Sequence, residues 1–182
     1  MILAIVGLAG AGKTEATEYV FKKTNWPKVY FGQIVLDEVK NRGMEINEAN
    51  ERTVREDLRK NHGMAAMAIL SAPKIKELAA VSPHVLVESM YSWEEYAVLK
   101  REFGENFKVL AIFASPQTRT ARMAVRPVRP LTSQELESRD YSQIENLHQA
   151  GPIARADWMV VNEGSKEELY QKIDAVIEAL NK

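Results

Sequence analysis

Eight residues near the start of the chain, Gly7-Leu8-Ala9-Gly10-Ala11-Gly12-Lys13-Thr14, fit the pattern G-x-x-x-x-G-K-[ST] completely. Glycines at these positions let the backbone turn its amides inward, and successive inward amides make a nest for an anion. A helix starting at the lysine would add the positive end of its dipole. Gly7, Ala9, Gly10, Ala11 and Gly12 are thus candidates for cradling a polyphosphate through their backbone. Lys13 is placed to reach the β- and γ-phosphates, and the Thr14 hydroxyl to bind Mg²⁺. The chemistry this pattern serves is the handling of a nucleoside triphosphate, with ATP and Mg²⁺ as the expected cofactors.

Other charged residues are spaced for phosphate chemistry. Arg119, Arg122 and Arg126 stand three and four apart, which on a helix puts all three on one face. Phosphate oxygens would neutralise that face; the plain alternative is a solvated basic stripe. Arg122 and Arg126 are candidates for the transferring phosphoryl group and Arg119 for the bound nucleotide. Arg129 and Arg139 are further candidates, and Asp140 reads as an ion-pair partner of one of them. Glu88 closes an apolar run. At the C-terminal end of a central strand it would face the ligand crevice, orienting Mg²⁺ through water or taking the acceptor's hydroxyl proton. The plain alternative is a helix-cap partner for the turn at Ser92, and Asp37 is a weaker alternative for the acid. Asn162 and Gly164 follow the last strand, where the plain reading is a turn before a capped helix.

These residues need a scaffold, and the hydrophobic pattern supplies one. The apolar run before Gly7, "KVYF" (28–31), "HVLVES" (84–89), "FKVLAIFA" (107–114) and "DWMVV" (157–161) read as strands. Between them lie helical patterns, including capping boxes at Ser92–Glu95 and Thr132–Glu135 and a proline at the first position after Ser115. Residues 35–78 read as charged helix, broken near Gly43 and near 61–63. Alternating strands and helices predict a parallel sheet of five strands covered on both sides, one domain over 1–182; with the glycine loop this is a three-layer α/β sandwich of the P-loop NTPase type, and the resemblance to that class implies the order 2-3-1-4-5. Two segments leave the alternation: a helical acceptor-side segment over 33–80 and a short lid insertion over 127–151 that begins at "RPVRP".

The chain lacks the Asp-x-x-Gly and Asn-Lys-x-Asp motifs of a GTPase. With its glycine loop, "ASPQTRTARM", "RDYSQ" and "ARADWMVVNEGSKEEL", it resembles the P-loop nucleoside monophosphate kinases and dephospho-coenzyme A kinase. The resemblance implies transfer of the γ-phosphoryl group to a nucleotide-like acceptor, an arginine-bearing helix before a lid, and an adenine loop around Asn162-Glu163-Gly164. It departs on the acceptor side, where "FGQIVLDEV" carries Gln33 and no arginine. The competing expectation is a nucleotide-binding regulatory protein that hydrolyses ATP slowly and has no small-molecule acceptor.

Composition narrows the classes. The 182 residues are 46% hydrophobic, and 24 basic against 25 acidic side chains leave a net charge of -1, which predicts no nucleic-acid or anionic-membrane partner. No cysteine is present, so thiolate metal sites and cysteine nucleophiles are excluded. His62, His84 and His148 have no ligand spacing. No apolar segment reaches the ~20 residues of a membrane span. A cytoplasmic protein, monomeric or weakly dimeric, is the expectation.

Overall fold

The computed structural model describes residues 1–181. Five parallel strands form one sheet: β1 (Ile2–Val6), β2 (Lys28–Tyr30), β3 (Val85–Glu88), β4 (Phe107–Phe113) and β5 (Trp158–Val161), in the order β2-β3-β1-β4-β5. Fold class and strand order agree with the sequence reading. β1 sits at the centre because both its neighbours cover it, with Ile5 opposite Glu88 on one side and Leu110 on the other. All five of its residues are buried, as a strand with helices on both faces requires.

Side-chain alternation sorts the core into two layers. Ile2, Ala4, Val6, Val85 and Val87 face α2 (Gly32–Asn41), α3 (Glu48–His62), α4 (Ala66–Val81) and α5 (Trp93–Phe103). Leu3, Ile5, Leu86 and Leu110 face α1 (Lys13–Thr24) and α9 (Lys166–Leu180). The breaks expected near Gly43 and at 61–63 separate α2, α3 and α4, and Gly63 closes α3 as its C-cap.

The capping chemistry is realised. Ser92 and Glu95 form a reciprocal box at the start of α5, and Thr132 and Glu135 do so at the start of α7 (Ser133–Glu145). Ser115 caps α6 (Pro116–Ala124), with Pro116 at its first turn. The 127–151 segment is not a loop: it holds α7 and the first residues of the short α8 (Ala150–Ala154). Among the described residues no helix is long and apolar enough to cross a membrane.

One expectation is corrected. The three arginines do not share an exposed helical face. α6 ends at Ala124, Arg126 lies beyond it in an irregular stretch, and Arg119 is buried at 3% exposure. The residue before a proline is disfavoured in the helical region, and Arg126 precedes Pro127.

Candidate active site

The phosphate loop joins β1 to α1. Gly10 (φ +78°) and Gly12 (φ +104°) occupy the left-handed region, where a side chain is strained. A Cβ would also be tight at Gly10 and would displace a neighbour at Gly12. At Gly10 that atom would lie 3.1 Å from Arg119 Cβ, and at Gly12 2.4 Å from Asn162 Nδ2. The loop therefore rests on α6 and on the turn after β5. Asn162 completes the second contact, its side-chain amide donating to the Ala11 carbonyl at 2.8 Å. Gln149, fully buried, donates to the Gly7 carbonyl at 2.9 Å.

Lys13 opens α1 and its Nζ donates to the Leu8 carbonyl at 3.0 Å. Burial pushes its pKa down to about 8, and the charges of Arg139, Arg119 and Arg126 add to the push. A desolvated lysine among three arginines is a concentration of positive charge that an anion would relieve. Thr14 stands next in the helix with an exposed side chain. Glu88 ends β3, and its carboxylate lies 3.2 Å from Lys28 Nζ, which holds Glu18 of α1 at 2.9 Å. Glu18 is one helical turn from Thr14, so Glu88 approaches the side of α1 on which Thr14 sits.

Arg122 and Asn162 meet, a contact the sequence did not reveal: Arg122 donates to the Asn162 carbonyl at 3.0 Å. With Gly12, Glu15, Gly164, Ser165, Lys166 and Leu169 they line a recess of about 430 Å³ beside the loop. Glu163 fastens that turn to α6, accepting from the Ser115 backbone at 2.5 Å and from the Thr118 hydroxyl. Arg119 is differently placed. Its guanidinium donates to both carboxylate oxygens of Asp140 (2.8 and 2.6 Å), to the Ala9 carbonyl at 3.1 Å and to the Ala114 carbonyl at 3.2 Å. That guanidinium is committed to protein groups rather than turned to a ligand.

Across the sheet edge lies a second cavity of about 390 Å³. Its walls include Tyr30, Tyr91, Ser89, Glu95, Arg55, Arg59 and, from α7, Arg139. Tyr30 folds over Gly32, where a Cβ would come within 2.2 Å of its ring. Ser89, directly after Glu88, takes φ +68°, a strained conformation for a residue with a side chain. "FGQIVLDEV" contributes no arginine to this cavity, but Arg55 and Arg59 of α3 line it. Arg59 Nε is buried with no hydrogen-bond partner. The signal was present as an i, i+4 pair in "VREDLRKN", hidden in a helix that otherwise reads as a solvated charged face. Trp93 stacks on Tyr96 with ring centroids 5.1 Å apart and is partly exposed. Arg129 pairs with Glu48 at 3.3 Å on the exposed edge of the cavity.

Glu95 is 1% exposed, and burial drives its pKa up to about 7 against the bonds from the Ser92 and Tyr91 backbone and the nearby Arg59 charge. Between the ordinary 4.5 and about 7 the folded chain holds a proton that the unfolded chain has released, so this contribution to stability falls as pH rises through that window. Glu95→Gln is therefore expected to gain thermal midpoint over the wild type on going from pH 5 to pH 8. Parallel pH dependences in the two proteins would mean that Glu95 is ionised throughout.

Comparisons with known proteins fit this architecture. Residues 6–145 match a family described as AAA domain. A UPF0200 protein of Thermococcus gammatolerans is 32% identical over 183 residues, covering 99% of this chain and 95% of the relative. The chain belongs to the UPF0200 family. Its fold is shared more widely. Shikimate kinase from Bacteroides thetaiotaomicron superimposes with a TM-score of 0.60 at 15% identity, covering 100% of this chain and 99% of the other. A gluconokinase from Sinorhizobium meliloti gives 0.60 at 15% identity, covering 98% and 91%. The UPF0200 chain thus has the fold of small P-loop kinases.

Proposed function

We propose that this UPF0200 chain transfers the γ-phosphoryl group of ATP to a small anionic acceptor, nucleotide-like in class, a nucleoside monophosphate or a dephospho-coenzyme A type of molecule. The observation that carries the reading is the pairing of two cationic sites. One is the glycine loop with its desolvated Lys13. The other is the adjoining cavity, where Arg59 Nε is buried without an acceptor and Arg55 lines the same wall. A buried donor left unpaired is costly, and an acceptor phosphate would satisfy it.

The donor lies with its base in the recess of Arg122, Asn162 and Gly164 and its phosphates in the loop. Lys13 and Arg139 meet the transferring group, with Arg126 near enough to add its charge. Such a transfer needs charge neutralisation, alignment and exclusion of water more than covalent help. Among the described residues no cluster of three metal-ligating side chains occurs. That suits Mg²⁺, which binds through one or two protein oxygens and the phosphates of its substrate. The Thr14 hydroxyl and the Glu88 carboxylate are the oxygens that would hold it, and bound Mg²⁺ would neutralise phosphate charge. Glu88, Ser89 and Tyr91 stand where an acceptor hydroxyl would approach.

The test is ADP production from ATP, alone and with a panel of nucleoside monophosphates and dephospho-coenzyme A. Strong stimulation by one acceptor, lost in Arg59→Ala, is the expected result. Slow turnover indifferent to every acceptor would assign the chain to nucleotide-dependent regulation instead.

A further inference from the structure

The lid helix α7 is docked on the phosphate loop through two successive turns. Leu136 packs with Ala9 of the loop and Met123 of α6. One turn later Asp140 meets Arg119, which lies one turn from Met123 on α6 and also binds the Ala9 carbonyl. The ion pair is nearly dry, with side-chain exposures of 4% for Arg119 and 17% for Asp140. Successive residues on a helix point about 100° apart. With Asp140 turned to α6, its neighbour Arg139 is turned to the cavity, on the same face as Ser142 and Gln143, three and four residues on, which also line it.

We propose that Asp140 is a positioning residue for phosphoryl transfer: through Arg119 it fixes the rotation of α7 on the phosphate loop and so holds Arg139 over the γ-phosphoryl group. The proposal rests on the donor site described under Proposed function. It explains why an arginine spaced for phosphate contact is instead buried and saturated: Arg119 is the anchor, and Arg139 is the group presented. The geometry makes the loop, α6 and the lid helix one assembly, since Gly10 lies tight against Arg119, where a Cβ would come within 3.1 Å of Arg119 Cβ.

The test compares binding of AMP-PNP and ADP, both with Mg²⁺, to the full chain, read by calorimetry. No acceptor is needed. The wild type is expected to prefer AMP-PNP, because only the triphosphate analogue reaches Arg139. Arg139→Ala should shrink that preference about tenfold, the scale of one charge-assisted contact. Asp140→Asn should shrink it by a similar factor while ADP binding stays within about threefold, because the loop contacts to ADP remain. The double variant should match Arg139→Ala alone, since Asp140 acts through Arg139. A wild-type preference in Asp140→Asn, or losses that multiply in the double variant, overturns the proposal. If the amide variant does not fold, Asp140→Glu keeps the charge and displaces the arm by one methylene. It should lower the preference where Arg139 is present and change nothing in Arg139→Ala; an unchanged preference in both overturns the proposal. Failure of the wild type to bind either nucleotide would overturn the donor site itself, a different result from loss of discrimination.

Discussion

Lys13→Met is expected to lower ATP turnover by about two to three orders of magnitude, the cost of removing a preorganised charge from a transferring group, while the thermal midpoint of the nucleotide-free protein rises. The two effects share a cause. Burial and the charges of Arg139, Arg119 and Arg126 hold the Lys13 pKa at about 8 rather than 10.5. Between those values the unfolded chain binds a proton that the folded chain has lost, so stability rises with pH across that window. Below about pH 8 the folded protein carries the ammonium at a cost. Methionine keeps the stem and removes the charge, so at pH 7 the folded state is relieved. Loss of the bond to the Leu8 carbonyl opposes this by about 1 kcal/mol. Differential scanning fluorimetry with an ADP-release assay reads both quantities. Wild-type turnover in the variant would remove the loop from the chemistry. A fall in midpoint would make Lys13 a residue that holds the fold rather than the ligand.

Glu88→Gln is the second large effect. The carboxylate ends β3 opposite Ile5 and stands 3.2 Å from Lys28. The amide keeps its shape and removes its charge. Turnover is expected to drop by about a hundredfold, the scale for a positioned acid or base. ATP affinity should stay within a few fold, because the loop amides and Lys13 hold the polyphosphate. The fold should barely notice, since Lys28 retains Glu18 and a partly exposed pair contributes about 0.2–1 kcal/mol. A Mg²⁺ titration divides the two roles. Partial recovery at high Mg²⁺ identifies an orienting contact to the ion; none identifies a group acting on the acceptor hydroxyl. Normal turnover would return the acid role to the substrate.

Local chemistry was legible in the sequence. The glycine loop and the two capping boxes follow from spacing within a dozen residues and the strand order from the resemblance to P-loop kinases, and the structure bears them out. Long-range partnership was not. Arg119 reads as a phosphate ligand because its spacing to Arg122 is visible and Asp140, 21 residues on, is not visible as its partner. Arg55 and Arg59 read as solvent-facing because the cavity they line is built from β2, β3, α3 and α7 together, a juxtaposition no single stretch encodes. The left-handed turn at Ser89 is likewise set by its surroundings, since serine carries no local preference for it.

Asn162 joins the base recess to the phosphate loop through the Ala11 carbonyl, and Glu163 joins the same turn to α6. On the proposed reading, the parts that would grip the donor nucleotide are therefore assembled before it arrives. A ligand meeting a finished receptor surrenders only its own freedom, so ATP encounter is expected to follow diffusion and charge rather than a rearrangement of the chain. The cavity proposed for the acceptor is lined by groups from separate helices and joined at its rim by the exposed Arg129–Glu48 contact. Reorganisation is then expected on the acceptor's side, and an ordered kinetic scheme with the nucleotide first is the one this division of labour favours.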